Sequence, residues 1–226
     1  MPNNITNVLR FHGEEDAVKE LFTNLSTKTG DDAIIFPDFN KIVEMPKSLD
    51  VESGSDGAMG LFILTGKKDS FPVNGLEILS GFQKLDKERQ EEVLSIGRKY
   101  AENLENYGHT TWYDWSIQNW GTKWNAYNCR KISQTEFSFQ TAWSNVTMLI
   151  NIISKKYPSI KIEYTYADED TGYNVGYFVF LGGEIQERNT PDGGSKEAYD
   201  LCFSIDEDSK EYYELIDGNW EYKEDE

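Results

Sequence analysis

Residues 137–166 read FSFQTAWSNVTMLINIISKKYPSIKIEYTY, and their periodicity decides the fold. Phe137, Phe139, Thr141 and Trp143 alternate with Ser138, Gln140 and Ala142, the period of two that gives a strand one strongly aromatic face. Val146, Leu149, Ile150, Ile153 and Tyr157 then recur at helical spacing, with Ser144 or Asn145 available as a cap and Pro158 as a stop. Ile160, Ile162, Tyr164 and Tyr166 alternate with Lys161, Glu163 and Thr165, which predicts a second strand. A strand, a helix and a strand in thirty residues form one half of a two-layer domain.

The start of the chain supplies the other half. Ile5, Leu9 and Phe11 lie on one side of a predicted strand, and Gly13 breaks it. Glu14, Glu15 and Asp16 follow where a helix N-terminus favours negative charge, and Val18, Leu21, Phe22 and Leu25 mark the apolar stripe of that helix. Residues 34–43 contain Pro37, which removes a ladder donor, so an edge strand or extended segment is expected there. Residues 47–82 are rich in Gly, Ser and Asp and give no clear pattern. Leu85, Arg89, Val93, Ile96, Tyr100 and Leu104 predict a helix over about 86–106, ended by Tyr107-Gly108.

Toward the C-terminus, Val175 to Leu181 is nearly all apolar and Gly182-Gly183 can turn it back. Tyr199, Leu201, Phe203 and Ile205 alternate as a further strand would, and Asp217-Gly218 is a hairpin signal. The sum is an α+β fold: a split βαββαβ antiparallel sheet with a helical insertion and a C-terminal β-hairpin extension. The expected organisation is a domain over residues 1–176, with the insertion at about 47–110, and an acidic β extension over 177–226 packed on the same sheet.

Trp112, Trp115, Trp120 and Trp124 crowd into WYDWSIQNWGTKW, four of the six tryptophans in the chain. Such a stretch suits a packed core in which Asp114, Asn119 and Lys123 satisfy indole and backbone groups. The alternative is a small-ligand or nucleotide pocket built from Trp115, Asn119, Trp120, Lys123, Trp124 and Asn125. Catalytic patterns are thin. His12 and His109 lie in no triad or metal motif, and Cys129 and Cys202 have no redox or metal spacing, which favours reduced structural thiols. Cys129 would need a histidine such as His109 to act as a nucleophile. The run Gly60–Lys68 departs from a phosphate loop in its glycine spacing and in having Lys68 where Ser or Thr belongs. Asp168, Glu169 and Asp170 offer hard oxygen ligands without the twelve-residue calcium-loop pattern. No catalytic residue, metal ligand or cofactor is therefore assigned.

Charge is the strongest compositional signal. Of a net −18, residues 1–162 hold 21 acidic and 18 basic side chains, and residues 163–226 hold 19 acidic and 4 basic. A C-terminal third with a net −15 repels phosphates, so direct nucleic-acid binding is not expected. It could instead imitate nucleic acid, or simply keep the protein in solution. No 18-residue apolar run and no basic start with an apolar leader is present, so neither a membrane span nor secretion is expected.

Taken in order, PNNITNVLRFHG (2–13), PDFNKIVEMP (37–46), WYDWSIQNWGTKWNAYN (112–128), FSFQTAWS (137–144) and YPSIKIEYTYADED (157–170) resemble the phage and plasmid family called Api92-like or YubB-like. NWGTKW and TAWS are its most specific parts, and the resemblance covers roughly residues 2–176. It implies a ferredoxin-like domain in the fold sense only, because the four cysteines of an iron–sulfur site are missing. It also implies a bacterial cytoplasmic setting on a mobile element, with no function attached. The expectation that follows is a non-enzymatic interaction protein that antagonises a host nucleic-acid-binding or defence protein, in the manner of a DNA mimic or anti-CRISPR protein. Its contact residues would be Asp206, Glu207, Asp208, Glu211, Glu214, Asp217 and Glu221, set against a basic groove on the host protein. The oligomeric state is left open.

Overall fold

The computed structural model describes residues 3–30, 33–69 and 74–223. They form two compact units, one of residues 45–119 and one of the remainder, with the chain crossing between them at 44/45 and at 119/120.

The larger unit opens with β1 (Asn4–His12) and α1 (Glu15–Leu25). A short ribbon of β2 (Thr27–Lys28) and β3 (Ile34–Ile35) and the one-turn helix α2 (Phe39–Ile42) follow. Of the edge strand or extended segment expected over 34–43, two residues pair as strand. Asp38 diverts the rest, because its carboxylate accepts from the Asn40 amide and starts a helical turn.

Residues 45–119 hold α3 (Ser55–Thr65), α4 (Gly75–Lys84), α5 (Lys87–Tyr107) and most of α6 (Trp112–Trp120). α5 matches its predicted stripe, with Asp86 capping the Arg89 amide and Gly108 in the left-handed region closing the far end. Inside the unit the buried Tyr100 donates to the Glu52 carbonyl and accepts from the Gly54 amide. Asn103 donates to the Ser48 and Thr110 carbonyls.

The chain returns through β4 (Tyr127–Lys131), β5 (Glu136–Ala142), α7 (Thr147–Lys156), β6 (Lys161–Asp168), β7 (Gly176–Leu181) and β8 (Glu184–Asn189). All main-sheet pairings are antiparallel, in the order β4-β5-β1-β6-β7-β8. The first four in that order, with α1 and α7, make the expected split βαββαβ arrangement, and β7 and β8 widen it. One face carries Ile5, Leu9, Phe11, Phe137, Phe139, Ile162 and Tyr164, all nearly fully buried under α1 and α7. Phe22 of α1 stacks on Phe137 at 4.9 Å.

The C-terminal third departs from the expectation in two ways. Residues 196–203 form α8 (Lys196–Phe203), where a strand was expected. Ala198, Leu201, Cys202 and Ile205 fit a helical stripe as well as Tyr199, Leu201, Phe203 and Ile205 fit a strand. The Ser195 hydroxyl decides between them by accepting from the Ala198 amide. α8 packs Ala198 and Cys202 onto Ala167 and Val175, on the sheet face opposite α1 and α7. The terminal hairpin, β9 (Tyr213–Ile216) and β10 (Asn219–Tyr222), is a sheet of its own rather than an addition to the large one. Its turn is the one expected, with Asp217 and Gly218 both at positive φ. Among the described residues no helix is long and apolar enough to cross a membrane.

Candidate interaction surface

β1 begins, β5 and β6 finish and β7 starts at one end of the main sheet, as the pairs Asn4↔Ala142, Ile5↔Asp168 and Tyr166↔Gly176 show. The loops at this end are locked together. Thr122 Oγ1 donates to the Ala142 carbonyl at 2.9 Å and accepts from the Ala142 amide at 3.2 Å. Gly121, at φ 80°, lets the chain turn into that contact.

Trp143 sits just past β5 with φ 64°. The Ser144 amide donates to the Ala142 carbonyl at 2.8 Å, so Trp143 is the centre of a three-residue turn of the rare positive-φ kind. A bulky aromatic residue in that region is strained, and such strain gathers at functional surfaces. The turn ends the alternation that grouped Trp143 with Phe137 and Phe139, and it turns the indole outward to 46% exposure. Trp124 is 38% exposed beside it. The Lys123 ammonium lies 4.4 Å from the Trp124 ring centre and 5.2 Å from that of Trp143.

Carboxylates border this pair. Tyr127, edge-on to Trp124, donates to Asn4 Oδ1 at 2.6 Å, and Asn4 Nδ2 donates to Glu169 Oε2 at 2.7 Å. Burial, and then the Glu169 charge, raise the Tyr127 phenol above its ordinary pKa. Asp168 accepts from the Asn3 and Asn174 side chains and from the Asp170 amide. Tyr173, 47% exposed, closes the loop.

The six candidate ligand residues of the tryptophan stretch are divided: Trp115 and Asn119 lie in the unit of residues 45–119, and the other four in the larger unit. Trp115 is 7% exposed and Trp120 4%. Trp120 donates to the Val43 carbonyl and meets Phe39 edge-on, so its ring is a core element. Asn125 accepts from the Phe39 and Ala126 amides and donates to Asp38, while Asn119 donates to the Trp115 carbonyl. Lys123 and Trp124 are the members placed at the surface beside Trp143, which sequence periodicity had grouped with Phe137 and Phe139 on the aromatic face of a strand.

The acidic candidates surround a separate aromatic platform. Phe203 meets Tyr213 at 5.5 Å and Trp220 at 5.1 Å, Tyr199 meets Tyr213 at 5.2 Å, and the Trp220 indole donates to Asp200. Asp206, Glu207, Asp208, Glu211, Glu214, Asp217 and Glu221 are all exposed around it. Among the described residues none of the seven forms an ion pair. Glu214 and Glu221 stand directly opposite each other across the hairpin, where like charges repel.

Burial pushes the Cys129 and Cys202 thiols up, away from the reactive thiolate. A hollow of about 360 Å³ on the sheet face opposite α1 and α7 is lined by Thr6, Val8, Asn128, Arg130, Ser138 and Asp206 among others, without a thiol or imidazole. Among the described residues no three His, Cys, Asp or Glu side chains converge as metal ligands.

On β6, Glu163 meets Lys161 at 2.8 Å and His12 at 3.0 Å. The Lys161 hydrogen bond first, and then the His12 charge, hold its carboxyl below the ordinary range against the effect of burial. Because the folded value is the lower one, this contribution is complete above the ordinary carboxylate pKa of about 4.3 and is lost as pH falls through the folded value. In Glu163→Gln, the melting temperature should accordingly fall less steeply than in the parent below about pH 4.3. Scanning calorimetry across that range checks it, and parallel curves would contradict it.

Residues 119–214 match the family model described as "Ferredoxin-like domain in Api92-like protein". This segment is similar to that domain family. The match runs past Gly176 and takes in most of the acidic third, further than the resemblance in the sequence reached, while residues 2–118 lie outside it. The chain is also similar to the crystal structure of protein api92 from Yersinia pseudotuberculosis, with 11% identity and a TM-score of 0.43, over 86% of this chain and 99% of that one. No curated protein sequence matches.

Proposed function

We propose that the protein is a non-enzymatic interaction protein whose acidic C-terminal platform docks on a basic groove of a host nucleic-acid-binding or defence protein. One observation carries the reading: seven exposed carboxylates without ion pairs, two of them held face to face across a hairpin at a cost in stability. A partner's lysines and arginines would relieve that repulsion. They would also be steered to it by the field of a chain with net charge −18.

The test is capture from nuclease-treated bacterial lysate. The parent should retain a basic protein that is released as salt rises. A variant with Asp206, Asp208 and Asp217 changed to Asn and Glu211, Glu214 and Glu221 changed to Gln should retain none of it, with an unchanged circular dichroism spectrum. Equal retention by the variant would remove the reading.

A small-ligand or nucleotide module is the second reading, supported by the exposed Trp124 and the adjacent Lys123. A saturable fluorescence change with nucleotides that is lost in Trp124→Ala would favour it over the first.

A further inference from the structure

We infer that the sheet end bearing Trp124, Trp143, Glu169 and Asp170 is an arginine-recognition surface, the point at which the basic partner is read by shape as well as by charge. This rests on the proposed docking to a basic partner and adds a second contact region to it.

The two indoles already hold a cation. Lys123 Nζ lies within 5.2 Å of both ring centres, so the negative faces of the rings are oriented for positive charge. The carboxylates on the same rim supply the complement. Glu169 is exposed and fixed by Asn4, which is tied through Tyr127 to Trp124, and Asp170 is exposed next to it. A planar guanidinium stacks on an indole and donates N–H groups sideways to a carboxylate in one pose, which an ammonium cannot do.

Pre-organisation separates this rim from an ordinary exposed aromatic pair. Thr122 bolts the Trp124 loop to the end of β5 from both sides, and the positive-φ turn turns Trp143 outward at a conformational cost. Rigid aromatic anchors lose little entropy on contact, and tryptophan and arginine are the residues that dominate interface energetics. The rim also continues toward the acidic platform. The Gly172 amide, in the loop that follows Asp170, donates to Cys202 Sγ of α8 at 3.3 Å, so the loop that bears the rim carboxylates meets the helix that carries the platform.

The experiment compares fluorescein-labelled hexa-arginine and hexa-lysine peptides, equal in charge, by anisotropy with the full chain at low salt. The parent should bind hexa-arginine roughly fivefold more tightly, the worth of one or two stacked guanidinium contacts. In Trp143→Gly, where glycine accepts the positive φ, and separately in Trp124→Ala, the ratio should fall to about one, as the stacking contribution is removed, with hexa-lysine affinity falling far less than hexa-arginine affinity. The carboxylate-neutralised platform variant should weaken both peptides together and keep the ratio. No preference for arginine in the parent, or a preference that survives both tryptophan variants, overturns the inference and leaves the charge-based docking in place. Absence of binding by either peptide overturns both.

Discussion

Gly97→Ala is expected to destabilise the helical unit of residues 45–119 by roughly 3–5 kcal/mol, the upper end of what overpacking costs. α3 and α5 cross with Gly60 against Gly97, backbone to backbone. A methyl group on Gly97 would stand 2.3 Å from the Gly60 carbonyl carbon and 2.6 Å from its Cα, and one on Gly60 would stand 2.2 Å from the Val93 carbonyl oxygen. Neither neighbour is a side chain that could rotate away. The helices must separate, and Ala58, Leu61, Val93 and Tyr100, all fully buried, lose contacts together. A unit of this size has a total stability on the order of 4–11 kcal/mol, so the change removes a large share of it and lowers the melting temperature of the unit well below that of the parent. Loss of far-UV helical signal at a lower temperature in Gly97→Ala than in the parent checks this. Gly81→Ala is the control, because a methyl group there makes only an ordinary 3.6 Å contact with Met59 and improves helix propensity. Equal melting of the two variants would show that the crossing is not as tight as the backbones indicate.

The same pair of glycines shows where sequence reading ran out. Gly60 and Gly66 looked like fragments of a phosphate loop, yet Gly60 lies at a helix crossing and Gly66 closes α3 in the left-handed region. α3 escaped notice because GAMGLFILT is apolar all round and has no stripe to reveal a period. β1, β5, β6, α5 and α7 were legible because buried and more exposed positions recur with the period of the element over much of its length, so burial imprinted that period on the sequence. α8 was misread because its residues satisfy both periods, and only the Ser195 cap distinguishes them.

The candidate surface was legible in part for a related reason. Exposed carboxylates announce themselves by composition, and nothing distant is needed to place them on the outside. The fate of the tryptophans depended on residues far away in the chain. Trp120 is buried because Phe39 and the Val43 carbonyl receive it, and Asn125 is committed to Asp38 and Phe39. Trp143 faces outward because of a turn that Ala142 and Ser144 close between them. Local periodicity carries no trace of either arrangement.

Asn7→Leu, almost volume-neutral, is expected to cost roughly 3 kcal/mol, because it orphans hydrogen-bonding groups worth about 1–3 kcal/mol each while gaining apolar burial. Asn7 is fully buried in β1. Its Nδ2 donates to the Ile5 carbonyl at 2.9 Å and to Thr141 Oγ1 at 3.0 Å, and its Oδ1 accepts from the Tyr164 hydroxyl at 2.7 Å. Tyr164 in turn accepts from the Val146 amide at 3.0 Å, and Thr141 donates to the Ser144 carbonyl at 2.7 Å. Burial first raises the Tyr164 phenol well above its ordinary pKa, so it stays a proton donor and needs its acceptor at any working pH. Adding Tyr164→Phe removes the orphaned hydroxyl, and the double variant should recover about 1–2 kcal/mol relative to additivity. Urea unfolding with a constant slope measures each corner of that cycle. Because Ser144 and Val146 flank the turn that presents Trp143, the damage should also be local. Their amides should exchange faster in Asn7→Leu at urea concentrations where the sheet amides of β1 and β6 remain protected. Simultaneous loss of protection in the turn and the sheet would mean that the polar trio stabilises the fold as a whole without specifically holding Trp143 in place.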